Sequence, residues 1–235
     1  MNLTFIGRGA AFNPKEGNNS AYFIEDNKLF LIDCGESIFE KLFTKDFINT
    51  VDSYNIFITH THSDHIGSLG SLICYAYYVR HIPANIILPK EAKYFDNIKN
   101  ILTAFGCTND MCNFIYEDEL DNSFNSFSKV RFVETDHCDY LDCYSIIFNT
   151  DNGIVFYSGD TRETRIIGKI IDSGDLIDKI YVDTNISGKG TGHLGVDDLH
   201  NFIPKELINK VYCMHLNNDE CIKKAIEYGF NVVNI

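Results

Sequence analysis

The sequence predicts an α/β fold in which two β-sheets pack face to face and helices cover their outer surfaces. Three observations lead to this prediction. Short apolar runs of strand length occur in both halves of the chain, helical patterns follow those runs in each half, and the 235 residues contain no repeat, low-complexity tract or linker. Residues 1–235 are therefore expected to form a single domain.

The first half of the chain supplies one predicted sheet and its helices. Strands are predicted, in chain order, at 2–6, 20–33, Ile56–Ile58 and Ile86–Leu88. Helices are predicted at Glu36–Phe43, Ile66–Val79 and about 90–104, the last opened by Pro89. The segment 105–128 is mixed and polar and carries no predicted element. Two roles are open for this segment: a wall of the active site and a contact between subunits.

The second half supplies the other sheet. Strands are predicted at Lys129–Thr135, 143–149, 153–157, Lys179–Val182, Val211–Leu216 and Phe230–Val233. Helices are predicted at 163–172, Val196–Phe202 and about 217–228. This half therefore repeats the arrangement of strands followed by helices that the first half shows.

Charge and hydropathy argue against two classes of partner. The formal net charge of −13 counts against wide nucleic-acid contact, because binding to the phosphate backbone relies on Lys and Arg. A compact anionic substrate held mostly by metal is compatible with this charge. No apolar run approaches the roughly 20 residues that span a bilayer, and the N-terminus enters a strand pattern without a signal peptide. No membrane association is expected.

The eight cysteines indicate a reducing compartment. They form no Cys-x-x-Cys pair, and several lie in apolar runs, where a free Cys behaves as a small hydrophobe. We therefore expect a reduced, cytoplasmic protein. Cys107 and Cys112 are close in sequence, and a disulfide or a second metal site is the alternative there, although their spacing matches no strong zinc pattern.

The stretch Thr59–His65 concentrates metal-ligand residues in one loop. It follows the strand predicted at Ile56–Ile58 and precedes a helical run, which is where an α/β sheet presents chemistry. A buried core histidine would explain one such residue, but not three imidazoles and a carboxylate within seven residues. Imidazole and carboxylate together suit zinc, and also manganese or iron. The ligand-type residues are His60, His62, Asp64 and His65.

Four further polar residues follow apolar strands. Asp33 stands at a strand end before a turn glycine and would by itself be read as a cap of the next helix. Asp160 stands in a Ser-Gly-Asp-Thr turn, where an Asx turn or a helix N-cap is the alternative to a metal ligand. His137 follows Lys129–Thr135 and would by itself be read as a surface histidine, and a strand delivers His215.

The pattern His-x-His-x-Asp-His, with these strand-end residues in order, resembles the metallo-β-lactamase superfamily, whose members are mostly binuclear metallohydrolases. The resemblance covers residues 2–233 and implies an αβ/βα four-layer sandwich. It implies a first metal held by His60, His62 and His137, a second held by Asp64, His65 and His215, and Asp160 as the bridge. Two divalent ions about 3.5–4 Å apart can share a hydroxide nucleophile, which Asp64 could orient or deprotonate. Asp33 would support the metal loop from behind.

Asp183 and His193 extend the resemblance to one branch of the superfamily. His193 lies 22 positions before His215 (215 − 193). The placement of Asp183 and His193 is similar to that in ribonuclease Z and its phosphodiesterase relatives. There a carboxylate pairs with a His that donates a proton to the leaving oxygen. Asp183 is shorter than the expected Glu, and a loop histidine without a role is the alternative for His193.

The chain departs from ribonuclease Z proper in one respect. His137 and Asp160 are 23 positions apart (160 − 137), which leaves room for two strands and a turn but not for the basic, glycine-rich tRNA-binding arm. With the acidic charge, this makes tRNA an unlikely substrate. A small or cyclic nucleotide-like phosphodiester fits better, because relatives that degrade cyclic nucleotides in bacterial and phage signalling have this armless form.

Two other functions use the same residues. A carboxylic ester, thioester or lactone hydrolase would need the metal pair but not the pair of His193 and Asp183. A metal-stabilised sensor or interaction protein would need no catalysis, although such relatives usually lose some ligands. The resemblance also implies a homodimer. His81 and His200 are expected to be surface residues without a role.

Overall fold

A computed structural model describes residues 1–91, 94–120 and 125–235, and places their strands in two mixed sheets. The first sheet has the order β1-β2-β3-β4-β5-β6, so its strands lie side by side in chain order. Its strands are Thr4–Gly7, Ser20–Glu25, Lys28–Ile32, Ser53–Phe57, Ala84–Leu88 and Cys112–Tyr116. The pairs β1–β2 and β2–β3 are antiparallel, and the pairs from β3 to β6 are parallel.

The second sheet has the order β12-β11-β10-β9-β8-β7. Its strands, from β7 to β12, are Lys129–Thr135, Cys143–Thr150, Gly153–Tyr157, Ile177–Asp183, Val211–Met214 and Asn231–Val232. Here β7, β8 and β9 form an antiparallel meander, and β9 to β12 are parallel. Each sheet therefore combines an antiparallel part, built from hairpins, with a parallel part that requires crossover helices.

The helices complete the four layers of the fold. The α-helices, α1 to α7, are Ile38–Phe43, Ser63–Ile66, Leu69–Tyr78, Phe95–Ala104, Arg165–Asp172, Val196–Phe202 and Asp219–Glu227. Short 3₁₀ helices lie at Asp46–Asn49 and Lys205–Lys210. None of the helices in the described ranges is long and apolar enough to cross a bilayer.

Aromatic side chains join the two sheets. Phe57 of the first sheet meets Phe148 of the second edge to face, with ring centroids 5.5 Å apart, and Phe23 meets the same ring at 6.3 Å. A separate apolar cluster lies on the outer side of the second sheet, where Ile167 and Leu199 from α5 and α6 contribute to it. The sheets thus pack face to face with helices outside, and the predicted fold class is confirmed.

Several predicted elements differ from the structure. The single strand expected at 20–33 is a hairpin, because Asp26 and Asn27 turn the chain with positive φ and β2 then pairs antiparallel with β3. The helix expected from about 90 begins at Phe95, because the chain turns after Pro89 and the Lys90 N–H donates to Glu117 Oε1; residues 92 and 93 lie outside the described residues. The helix expected over Ile66–Val79 is divided into α2 and α3, since the Ser68 N–H donates to the Cys34 carbonyl.

A further difference concerns the segment 105–128, which contains the edge strand β6. No strand was predicted here because only Cys112 among the five residues of β6 is buried, so a clear apolar alternation is missing. No disulfide joins Cys107 to Cys112; both are free thiols. They belong to none of the potential metal-ligand groups found among the described residues.

Strand ends position the functional residues. Asp33, His137 and His215 each lie within two residues of the end of a strand, and Asp183 is the last residue of β10. His215 has a φ of 54°, so β11 ends at Met214 rather than at Leu216, and the left-handed turn redirects the imidazole. Gly35 is needed for close approach, because a Cβ there would lie 1.8 Å from the Asp64 carbonyl oxygen.

Candidate metal centre

The predicted ligand residues meet at one place, where the strand ends of the two sheets converge. Two clusters of donor atoms form there and share a border. The first cluster contains His60, His62 and His137, and the second contains Asp64, His65, Asp160 and His215. A third, overlapping group joins Asp160 and His215 to Asp183 and His193.

The first cluster consists of three imidazoles. Nε2 of His60 lies 3.0 Å from Nδ1 of His62, and Nε2 of His137 lies 3.3 Å from that same Nδ1. Burial, together with the neighbouring His65, lowers the pKa of His60 well below its usual value, and burial beside His137 lowers the pKa of His62. The lowered pKa values favour the neutral form of His60 and His62, which is the protonation state of a metal ligand.

The second cluster mixes imidazole and carboxylate. Oδ2 of Asp64 lies 3.3 Å from Nε2 of His65 and 3.3 Å from Nε2 of His215. Asp160 presents Oδ1 3.3 Å from His65 and Oδ2 3.4 Å from His215. The same Oδ2 lies 3.8 Å from His60 Nε2, so the Asp160 carboxylate stands between the two clusters.

The donor atoms fit a metal ion in two respects: their spacing, and the absence of hydrogen-bond partners for two of them among the described residues. Ligands of a tetrahedral ion at 2.0–2.1 Å are about 3.3 Å from one another, which matches most of the distances in both clusters. His65 Nε2 and Asp160 Oδ1 are buried and have no hydrogen-bond partner among the described residues. Buried polar atoms without a partner are costly, and a divalent ion between them would satisfy both. The residues present therefore fit a metal pair.

Asp33 supports this loop from behind. Its carboxylate accepts hydrogen bonds from the Thr59 N–H at 2.8 Å and from Thr59 Oγ1 at 2.7 Å. Nδ1 of His65 lies 2.8 Å from Asp33 Oδ2, which leaves Nε2 for the cluster. The helix-cap alternative does not hold, since Ser37 occupies the N-cap of α1. Such a partner fixes the tautomer and orientation of a ligating imidazole.

Asp183 and His193 form a close pair beside the second cluster. Nδ1 of His193 lies 2.7 Å from Asp183 Oδ2, which also accepts from the Thr161 N–H at 3.0 Å. The other oxygen, Oδ1, lies 3.3 Å from Nδ1 of His215. The aspartate is long enough for this pairing, because the loop that carries His193 folds back over the end of β10.

Buried carboxylates control the charge of the second cluster. Burial alone would lower the pKa of His65, but Asp160 and Asp64 raise it well above its usual value. Burial likewise opposes protonation of His215, yet Asp160 and Asp183 raise the pKa of His215 to about 10. These shifts favour the cationic, doubly protonated form of both rings in the metal-free protein.

Metal binding should consequently release protons. A ligating imidazole nitrogen must be unprotonated, so protons on His65 and His215 compete with the metal, and affinity should fall as the pH falls below the raised pKa values. Calorimetric titration with zinc at pH 7, repeated in buffers of different protonation enthalpy, should show release of one to two protons per chain. An affinity that is independent of pH, with no proton released, would contradict this assignment.

Several supporting residues were not found from the sequence. The Gly192 carbonyl lies 2.7 Å from Nδ1 of His137, and the Tyr140 hydroxyl lies 3.2 Å from Nε2 of His62. The Asn19 side chain accepts from the backbone N–H of His215. These contacts join residues that are distant in sequence, so the spacing of residues along the chain could not predict them.

The remaining histidines lie apart from the centre. His81 is exposed, as expected. His200 is only partly exposed and stacks on Tyr228, with ring centroids 4.0 Å apart, so it has a packing role that the sequence did not indicate.

A cavity of about 760 Å³ opens onto both clusters. Its lining includes His62, Asp64, His137, Asp160, His193 and His215. The described residues of the segment 105–128 do not contribute to this lining. The clusters are thus accessible to a small molecule from one side.

Comparison with known proteins gives the same fold and one family. The profile of the family described as "Anti-Pycsar protein Apyc1" matches residues 1–231. The anti-Pycsar protein Apyc1 of Saccharibacillus brassicae is 30% identical over 92% of this chain and 89% of that protein. Ribonuclease Z of Methanococcus maripaludis is 39% identical over 43% of this chain and 33% of that enzyme.

Among solved structures, the metallo-β-lactamase fold protein YhfI from Bacillus subtilis superposes with a TM-score of 0.73. That similarity covers 98% of this chain and 94% of YhfI at 17% sequence identity. The metallo-β-lactamase fold expected from the motifs is therefore confirmed.

Proposed function

This chain belongs to the Anti-Pycsar protein Apyc1 family, and from that premise we propose that it is a binuclear metal-dependent phosphodiesterase acting on cyclic nucleotides. The fold family supports hydrolytic chemistry, and two adjacent donor clusters support a metal pair. The ligand set is rich in imidazole, which favours zinc over manganese and leaves iron as the alternative. The armless relatives that degrade cyclic nucleotides support the substrate class.

The pairing of His193 with Asp183 is the observation that carries the choice of phosphodiester. Burial opposes protonation of His193, but the Asp183 carboxylate at 2.7 Å raises its pKa. The ring is then protonated near neutral pH, with Nδ1 held by Asp183. Nε2 remains available in the cavity to give a proton to the departing alkoxide. Attack on an ester carbonyl has no comparable need for this acid.

Two divalent ions, when bound, would act as Lewis acids, lower the pKa of water and stabilise charge on the reacting oxygens. The chain's own residues would orient the reaction. His60, His62 and His137 would hold one ion, Asp160 would hold both, and Asp64, His65 and His215 would hold the other. Asp64 would also orient the nucleophile as an ionised carboxylate: burial raises its pKa, but His65 and His215 lower it far more.

The charges on the cavity wall favour a substrate with one phosphate. Exposed carboxylates of Glu36 and Asp139 stand on the cavity wall and would repel a second phosphate. Arg162, also in the wall, is already paired with Asp136 at 2.8 Å and with Asp139 at 2.9 Å. Between His137 and Asp160 the chain forms only the β8–β9 hairpin, so nothing there corresponds to a tRNA-binding arm.

A substrate panel tests the reaction class. Zinc-loaded protein should hydrolyse bis(p-nitrophenyl) phosphate, and should do so faster than it hydrolyses a lactone or a thioester. Dominant turnover of the lactone or thioester would replace the phosphodiesterase with an ester hydrolase on the same metals. A protein that binds two metals yet turns over none of these compounds would be a metal-stabilised sensor or interaction protein.

A further inference from the structure

Two aromatic side chains of the cavity wall are largely exposed. Phe12 is 97% exposed and Tyr140 is 76% exposed, and both line the cavity that contains the metal centre. An exposed aromatic ring forgoes the stabilisation that burial would give. Because both rings line the same cavity, their free faces are available to a molecule bound there.

The backbone beneath Phe12 is firmly held. The Asn13 N–H donates to the Ala10 carbonyl at 2.9 Å, which closes a tight turn with Phe12 near its tip. The Ala10 N–H and the Asn13 side chain both donate to the Leu216 carbonyl, at 3.1 and 2.9 Å. Leu216 follows His215, so this turn is fixed directly to the loop that carries a metal-facing imidazole.

Tyr140 is held in place by His62 of the first cluster. Its hydroxyl lies 3.2 Å from Nε2 of His62, and the two ring centroids are 5.9 Å apart. Nδ1 of His62 faces the first cluster, so Tyr140 contacts the outward side of a metal-facing ring. One end of the phenol is therefore anchored beside the centre, while most of its surface stays exposed.

We propose that Phe12 and Tyr140 form a stacking subsite for the nucleobase of a cyclic nucleotide whose phosphate lies at the metal centre. This inference rests on the proposed function and adds how the uncharged part of the substrate is bound. Glu36 and Asp139 disfavour additional phosphate near the rim, whereas a neutral planar base meets no such penalty. Aromatic faces accept any base, because every base offers a π-face. Purine and pyrimidine cyclic nucleotides should accordingly be processed with kcat/KM values within about tenfold of each other.

Replacing Phe12 tests the subsite with little risk to folding, because the side chain is exposed. In Phe12→Leu, KM for a 3′,5′-cyclic nucleotide should rise about tenfold with little change in kcat, as expected for loss of one stacking contact. A methyl riboside 3′,5′-cyclic phosphate, which has no base, serves as the reference substrate. The preference for the nucleotide over this reference should fall by the same factor. Phe43→Leu is the matched control, since Phe43 is 56% exposed and lies outside the cavity lining.

Substitutions of Tyr140 distinguish base stacking by its ring from support of His62 by its hydroxyl. Tyr140→Phe keeps the ring and loses the hydroxyl, so it should retain more affinity for the nucleotide than Tyr140→Leu. Unchanged KM in both Leu variants, or an equal rise for the base-free reference, would overturn the subsite alone. A wild-type enzyme that hydrolyses no cyclic nucleotide would overturn the proposed function, and this inference with it.

Discussion

Asp160→Ala should bind one metal ion per chain or none, where the wild-type protein should bind two. The Asp160 carboxylate is 2% exposed and lies between the clusters, with Oδ1 toward His65 and Oδ2 toward His60 and His215. No other carboxylate among the described residues occupies this shared position. Removing it takes a ligand from both sites and leaves the remaining imidazoles to hold two cations close together without the bridging charge.

The loss of activity should exceed the roughly 10–100-fold that follows removal of a residue that merely supports a ligand. Elemental analysis after dialysis measures metal content, and hydrolysis of bis(p-nitrophenyl) phosphate measures rate. Asp151→Ala, an exposed carboxylate in the turn between β8 and β9, is the matched control. Full metal content and full rate in Asp160→Ala would refute the bridging role.

His193→Ala should lower the rate of phosphodiester hydrolysis by roughly 10²–10⁴-fold, the contribution expected of a positioned general acid. Its metal content should not change, because both metal clusters are complete without His193. Activity toward a lactone or thioester, if present, should change much less, since those leaving groups depend less on this proton. Equal losses on diester and ester substrates would indicate that His193 shapes the site rather than donating a proton.

Asp183→Asn tests the pairing of His193 with Asp183 through the pH dependence of kcat. The Asp183 carboxylate raises the pKa of His193, so its neutral replacement should lower that pKa. A general acid is active only while protonated. The alkaline limb of the kcat profile should therefore move to lower pH in Asp183→Asn, whereas a purely structural defect would lower kcat at all pH values without moving the limb.

The sequence was most informative where chemistry is concentrated locally. His60, His62, Asp64 and His65 fall within one loop, so their meeting at a strand end could be predicted without knowledge of the fold. Distant members such as His137 were ambiguous alone, and became interpretable because the resemblance fixed their order along the chain. Residues of this kind depend on which strands become neighbours, and that is a property of topology rather than of local pattern.

Predictions from local patterns failed where the backbone of one segment forms hydrogen bonds with another segment. Lys90 donates its N–H to Glu117 instead of beginning a helix, and Ser68 donates to Cys34 and interrupts one. Supporting contacts such as Tyr140 with His62 leave no trace in sequence spacing. Asp33 was the exception: its position alone suggested a helix cap, and the family resemblance implied the supporting role that the geometry shows.

The most direct measurement is ³¹P NMR of a 3′,5′-cyclic nucleotide incubated with zinc-loaded protein, beside a sample treated with a chelator. If the chain is a metal-dependent phosphodiesterase, the cyclic diester signal should convert to that of a phosphomonoester, and chelation should abolish the conversion. An unchanged diester signal from protein shown to contain two metal ions would contradict the proposed activity.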